Sequence, residues 1–347
     1  VRVAFVTVGD PRRPTGGYLY NARVIEGLME RGVEVEEIVA CGASPEEQAA
    51  AAPHIAGIFD PSTCDAVIVD ALARIAVAPH LERWRKERPV VAMVHELPGV
   101  ADPGSARREA AFEDPLLRSD LLVTVSEHGR RVLLGRGAPG GLVRVVPPGC
   151  DRLPVQVRER RRDGTVRALC VAQWIPRKGI LELVHAWRRR KRRDAVLELI
   201  GETDADLAYA FRVREVADPS VFVRGAVSDA ALAEAYACAD LFALTSLYEG
   251  YGIVYAEALA AGLPVLACNV GPVPELVGRE AALLVPPGDA EALAGALDTL
   301  LADAGLREKM SAAARRRAGE LPGWEETVRG FFSALREAVE RRGSDGP

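Results

Sequence analysis

The sequence predicts two successive doubly wound α/β domains, each a parallel sheet covered by helices on both faces. Three observations predict it. Apolar runs of strand length alternate with helical patterns along almost the whole chain. The strand-like runs are nearly all apolar, as strands buried on both faces are. The alternation breaks once, between Pro147 and Gly164, and then restarts. A chain of 347 residues has room for about two domains at roughly 150 residues each.

The elements follow in order. Val1 to Val8 is a short strand by length and β-branching, and a Gly-containing loop follows it. A helical pattern from about Tyr18 to Arg31 closes at Gly32, and Val33 to Val39 is the next strand. Ala66 to Val69, Val90 to Val94, Leu121 to Val125 and Val143 to Val146 are further core strands. Pro147-Pro148-Gly149 is a turn, and Arg158 to Gly164 is a polar run that reads as a linker. Beyond it come a strand (Val166 to Val171), a helix (Ile180 to Arg193) and a strand (Val196 to Ile200). Val221 to Val223, Leu241 to Leu244, Val265 to Ala267 and Ala282 to Val285 continue the second sheet. Trp324 to Arg341 is an amphipathic helix with Val328, Phe331, Phe332, Leu335 and Val339 on one face. The expected division is residues 1–150, a linker at 151–164, residues 165–322, and a terminal helix in 323–347 packing back across the domains. Ligands of such sheets sit at the C-terminal ends of the strands, so two such domains place the site in the cleft between them.

Composition narrows the function. There are 44 Lys and Arg against 49 Asp and Glu, a net charge of −5, which argues against a general nucleic-acid binder. Only four basic residues are Lys (Lys86, Lys178, Lys191 and Lys309), so a Lys inside a motif carries more information than an Arg. The six cysteines form no C-x-x-C pair, and several sit in apolar runs. A reducing cytosol is expected, and a zinc site is not. The first residues read as a strand rather than a signal peptide. The longest uncharged stretch, Ala258 to Pro274, is interrupted by Gly262, Pro264, Gly271 and Pro272, so no membrane span is expected.

Residues 245–275 carry the most information. A strand runs into a loop holding Glu249, Gly250 and Gly252, and a helix starts near Ile253 and ends at Gly262. A helix start exposes N–H groups and the positive end of the dipole. Gly250 and Gly252 let an anion approach the backbone. Glu257, about one turn into the helix, is placed to accept two neighbouring hydroxyls such as those of a ribose. Glu249, before the helix, could accept hydroxyls of a second sugar. Two carboxylates flanking an anion-binding helix start suggest a nucleoside diphosphate sugar, although two solvated glutamates around a turn would show the same spacing.

Several segments in order carry a resemblance. Glu249-x7-Glu257, with Ala260-Ala261-Gly262-Leu263-Pro264-Val265 and Gly271-x-x-x-Glu275, resembles the donor signature of family 4 retaining glycosyltransferases of the GT-B fold. Val123 to Glu127 resembles the family's V-x-V-S strand end, and Val146 to Asp151 its interdomain turn. Pro176-Arg177-Lys178-Gly179 resembles its phosphate segment, and Gly225-Ala226-Val227-Ser228-Asp229 its base-contacting loop. The resemblance implies two Rossmann-like domains and transfer of a sugar from a nucleoside diphosphate donor, UDP or GDP, to a hydroxyl acceptor. No cofactor or metal is implied.

The resemblance also implies roles. Glu257 binds the donor ribose, Glu249 faces the donor sugar, and the backbone of Gly250, Tyr251, Gly252 and Ile253 holds sugar and diphosphate. Lys178 grips the diphosphate, and Val227 lies at the base. Gly16 and Gly17 form the glycine loop after the first strand, and His95 stands near the transferred sugar. One position departs from the family: Gln173 stands where an Arg is usual, five residues before Lys178, and Arg177 is the candidate to supply the missing charge. Gln173 motivates a second reading, a nucleotide-sugar-binding or structural subunit without turnover. A third, a nucleotide-dependent oxidoreductase or epimerase, lacks its G-x-G-x-x-G fingerprint. Asp204-Ala205-Asp206 reads as loop or helix-cap chemistry rather than a metal motif. The basic run Arg188 to Arg193 reads as a solvated helix end, with contact to an acidic inner membrane face or partner as the other reading. The acceptor, whether sugar, glycan, lipid or small molecule, is not encoded in any recognisable segment.

Overall fold

A computed structural model describes residues 1–42, 44–154 and 164–344 of the chain. It divides into two compact units. One comprises Val1–Pro148 together with Trp324–Pro347, and the other Gly149–Gly323. The part of the expected linker from 155 to 163 lies outside the described residues.

The first unit runs β1 (Arg2–Val8), α1 (Gly16–Glu30), β2 (Glu34–Ala40), α2 (Pro45–Ile58), β3 (Ala66–Asp70), α3 (Arg74–Glu87), β4 (Val90–Val94), α4 (Pro98–Ala101), α5 (Ala106–Leu117), β5 (Leu121–Thr124), α6 (Glu127–Gly135) and β6 (Val143–Val145). Its sheet has the order β2-β1-β3-β4-β5-β6, with every pair parallel. β3 and β4 are buried along their whole length, which is why their sequences show no polar alternation.

The second unit runs β7 (Val166–Val171), α7 (Ile180–Arg188), β8 (Ala195–Ile200), α8 (Leu207–Val216), β9 (Val221–Gly225), α9 (Asp229–Cys238), β10 (Leu241–Leu244), α10 (Ile253–Ala260), β11 (Val265–Cys268), α11 (Val273–Val277), β12 (Ala282–Val285), α12 (Ala290–Ala302) and α13 (Ala304–Ala318). Its parallel sheet has the order β12-β11-β10-β7-β8-β9. The terminal helix, α14 (Trp324–Ser344), belongs to the first unit. It buries Val328, Phe331, Ala334, Leu335 and Ala338. Gly27 of α1 lets it approach closely, since a Cβ there would lie 2.4 Å from Val328 Cγ1.

Each sheet has one switch point, where neighbouring strands send their following connections in opposite directions. In the first unit it lies between β1 and β3, and in the second between β7 and β10. Loops leaving the C-terminal ends of those strands diverge and leave a crevice, where ligands of such sheets bind.

Two expectations change. The helix expected over Ile180 to Arg193 ends at Arg188. Arg190 is not a solvated helix end: it is 4% exposed, donates to Asp218 Oδ2 at 2.9 Å and Ser220 Oγ at 2.7 Å, and stacks on the Trp187 ring. Its partners arrive from the loop before β9, so the local sequence could not show them. Gly16 and Gly17, expected in a loop, form the first turn of α1. Asp206 caps α8 by accepting the Tyr209 N–H at 2.9 Å.

Candidate donor site

At the switch point of the second unit, the loop after β7 carries Gln173, Arg177 and Lys178, and the loop after β10 carries Glu249 to Gly252. Backbone and side-chain bonds fasten the two loops together. Leu247 N donates to Arg177 O at 2.8 Å, Thr245 Oγ1 to Gly179 O at 2.6 Å, and Arg177 Nη1 to Tyr248 O at 3.3 Å. Gly179 is required here: its φ is +65°, and a Cβ would fall 2.0 Å from Thr245 O.

Both helices that start in this crevice begin on a glycine in the left-handed region. Gly179 caps α7 and Gly252 caps α10, at φ +95°, and neither offers a side-chain cap. No cap side chain serves the first turn of α10, although the Tyr255 N–H turns back to Gly252 O at 2.9 Å, and the helix dipole favours an anion at this end. Ile253 and Tyr251 have buried side chains, so they can serve a ligand only through their backbone and the Tyr251 edge. Gly250 lies half-buried beside them.

Lys178 Nζ donates to Glu249 Oε1 at 2.7 Å, and Ser246 Oγ donates to the same oxygen at 2.7 Å. The Glu249 side chain is 5% exposed and that of Lys178 is 16% exposed. Burial pushes the Glu249 carboxyl up, but Lys178, Arg177 and the two hydrogen bonds outweigh it and hold the group below its usual range. Glu249 is therefore a carboxylate at neutral pH. The ammonium has three donors, so one bond to Glu249 leaves two for a phosphate. Arg177 also acts on the Glu249 carboxylate through its charge. Gln173 Nε2 is itself engaged, donating to Glu202 Oε2 at 2.5 Å.

Glu257 lies one turn into α10 with its side chain 2% exposed. Its Oε1 accepts Arg152 Nε at 2.9 Å and Nη2 at 2.7 Å, while Tyr236 Oη lies 3.1 Å from Oε2. Burial raises this carboxyl more than Arg152 and Tyr236 lower it, leaving it above its usual value. Val227 is half-buried in the loop between β9 and α9. A cavity of about 670 Å³ opens beside Thr245 and Leu247, between α7 and α12, and none of the predicted site residues lines it.

In the first unit, His95 follows β4 beside the switch point. A Cβ on Gly17 would make an ordinary 3.6 Å contact with the His95 ring, so these two predicted residues do meet. His95 Nε2 lies 2.9 Å from Asn21 Oδ1, and Asn21 Nδ2 donates to Asp70 Oδ2 at 2.6 Å. Thr7 Oγ1 and Leu72 N also donate to Asp70. Because Asn21 gives its N–H₂ to Asp70, its oxygen faces His95, and His95 must carry its proton on Nε2. Nδ1 is then the acceptor nitrogen. Burial lowers the His95 pKa against the pull of Asp70 and Glu96, so the ring is neutral at pH 7.

Sequence reasoning missed Arg152, Tyr236, Asn21 and Asp70. Asp70 had a signal, a carboxylate closing an otherwise apolar strand. Arg152 had only its place directly after the Val146 to Asp151 turn.

Two doubly wound units, the second with a glycine-started helix, a lysine–glutamate pair and a buried glutamate at its switch point, define a protein of the GT-B class. Residues 155–317 match the family described as glycosyl transferases group 1. The chain is 31% identical to a D-inositol 3-phosphate glycosyltransferase of Kineococcus radiotolerans, over 76% of this chain and 69% of that protein. It is 28% identical to an MMP alpha-(1->4)-mannosyltransferase of Mycolicibacterium hassiacum, over 83% of this chain and 66% of that one. It thus spans about two thirds of the length of these relatives. Among solved structures, a sucrose-phosphate synthase of Thermosynechococcus elongatus superposes with a TM-score of 0.83 at 23% identity, covering 98% of this chain and 100% of that one. HepE of Anabaena, in complex with UDP and glucose, gives 0.77 at 18% identity, covering 97% and 99%. The chain belongs to the group 1 glycosyltransferase family.

No helix among the described residues is long and apolar enough to cross a membrane, and none of them form a His, Cys, Asp and Glu cluster suited to a metal ion.

Proposed function

We propose that the protein is a retaining glycosyltransferase of the family 4 type. It moves a sugar from a UDP- or GDP-linked donor to a hydroxyl acceptor in the cytoplasm, without a required metal. The observation that carries this reading is the glycine start of α10, which has no side-chain cap, set beside the Lys178–Glu249 pair. A diphosphate needs fixed N–H groups and a cation, and the transferred sugar needs an ionised carboxylate close by. The relatives agree in kind. HepE has been solved with UDP-glucose, and two mycobacterial relatives carry the name GDP-mannose-dependent mannosyltransferase.

In the proposed reaction the bond between the sugar C1 and the β-phosphate oxygen breaks. The acceptor oxygen bonds C1 on the same face, and the acceptor proton passes to the leaving phosphate oxygen. Lys178 and the α10 N–H groups hold the charge that grows on that phosphate. Glu249 steadies positive charge near the ring. Glu257 accepts the ribose hydroxyls. His95 Nδ1 accepts a hydroxyl of the sugar.

The test is a thermal-shift panel with UDP, GDP, ADP and TDP on wild type, Glu257→Ala and Lys178→Ala. A ligand at 100 times its Kd adds about 2.7 kcal/mol, which raises Tm clearly. One diphosphate is expected to stabilise wild type, with most of the effect lost in both variants. A panel with no shift would sink the donor-site assignment. Binding without transfer or slow donor hydrolysis would instead favour the subunit without turnover. Retention is read from the anomeric configuration of the product by NMR.

A further inference from the structure

Arg152 joins two segments that are 77 and 105 residues away in sequence. Its Nε and Nη2 both donate to Glu257 Oε1, and its Nη1 donates to the Asp229 carboxylate. Asp229 opens α9, directly after the loop Gly225 to Ser228. The Arg152 side chain is 9% exposed although guanidinium groups are almost always wet, and Asp229 is 62% exposed. A buried carboxylate and the loop beside it are thus tied together by one planar cation, a geometry that a lysine could not reproduce.

The arrangement restricts what Glu257 can do. Oε1 already takes two N–H donors from one side, and Tyr236 approaches Oε2. Without a cation beside it, a carboxylate this buried would take up a proton or turn towards water. With Arg152 present, the carboxylate is held by hydrogen bonds at both of its oxygens.

We infer that Arg152 is a positioning residue for the nucleotide: it fixes the Glu257 carboxylate for the ribose diol and fastens the 225–229 loop to it. The inference rests on the proposed donor site and adds a residue that the sequence resemblance does not supply. It assigns Arg152 to discrimination of ribose from 2′-deoxyribose, because only a carboxylate held in one orientation can meet both hydroxyls.

The experiment measures Kd for UDP and GDP, and for their 2′-deoxy forms, by calorimetric titration. It compares wild type, Arg152→Ala, Arg152→Lys and Glu257→Ala. Wild type is expected to favour the ribonucleotide by about tenfold or more, the range for a hydrogen bond to a charged acceptor. Arg152→Ala should weaken ribonucleotide binding by roughly 10- to 100-fold, with the ribose preference falling towards unity. Arg152→Lys keeps the charge, so it guards against a variant that fails to fold. It should lose roughly three- to tenfold and only part of the preference. A purely structural role would lower Tm and leave the ribose preference of the folded protein unchanged. If Glu257→Ala binds like wild type, the donor-site reading fails. If Glu257→Ala loses binding while both Arg152 variants keep the wild-type Kd and ribose preference, that reading stands and the inference about Arg152 is overturned.

Discussion

His95 shows how much of this protein depends on single contacts between distant residues. Its ring is neutral because burial opposes protonation more than Asp70 and Glu96 favour it. The folded pKa lies below the ordinary value near 6.5, so between the two the unfolded chain binds the extra proton. Stability is therefore lost as pH falls from about 6.5 towards the folded pKa, and is indifferent to His95 above that. The loss cannot exceed about 1.4 kcal/mol per pH unit. His95→Gln keeps an N–H for Asn21 and removes the titration. The expected result is a smaller fall in Tm between pH 7.5 and 5.5 for the variant than for wild type. Parallel falls would show that His95 is not the group responsible. The sequence announced Glu249, Glu257 and Lys178, because a loop, a glycine-capped helix start and a rare lysine are local patterns. Asp70 showed only as a carboxylate closing an apolar strand, and nothing local announced the roles of Asn21 or Arg152. Each matters through a partner 49 to 105 residues away, and no periodicity records that.

At the scale of elements, sequence patterns located the core strands to within about a residue or two at each end, since burial on both faces leaves little room for polar residues. Helix ends were harder. α7 stops five residues early because Arg190 turns in towards Asp218 instead of continuing the helix. For α14 the apolar face was visible, but not its full composition. Phe332 and Val339 are only half-buried, while Ala334 and Ala338 are buried. Small residues at close helix crossings give a weak hydrophobic signal, and Gly27 gives none. Phe331 is fully buried in this face, and Arg144–Glu337 and Thr327 Oγ1–Pro147 O fasten the helix along its length. Phe331→Ala should destabilise the first unit by about 3–5 kcal/mol, the usual cost of deleting a core aromatic. In scanning calorimetry, the first unit's transition should drop while UDP or GDP still shifts that of the second. Equal loss in both transitions would mean that α14 supports more than its own unit.

The whole molecule is two units of unequal continuity, and this has a consequence for where the proposed nucleotide binding resides. The first unit is built from two separate stretches of chain, whereas the second is one stretch, Gly149–Gly323. Its ends meet, since Cys150 N donates to Pro322 O at 3.0 Å and a Cβ on Gly323 would lie 2.7 Å from Asp151 Oδ2. A unit with adjacent ends and its own hydrophobic core is one that can fold when cut out. The two alternating patterns in the sequence revealed two sheets, but not that α14 returns to the first, because an amphipathic helix carries no address. Lys178, Glu249, Glu257, Arg152 and the start of α10 all lie within the continuous stretch. The isolated fragment Gly149–Gly323 is therefore expected to fold cooperatively and to bind UDP or GDP within about tenfold of the full chain, a difference of no more than about 1.4 kcal/mol. It should transfer no sugar, because His95 and its Asn21–Asp70 support are missing. Circular dichroism melting and calorimetric titration of the fragment decide the matter. A folded fragment that binds no nucleotide, beside a full chain that does, would place an essential nucleotide contact in the first unit. Affinity equal to that of the full chain would show that Gly16, Gly17 and His95 act on the sugar or acceptor rather than on the nucleotide.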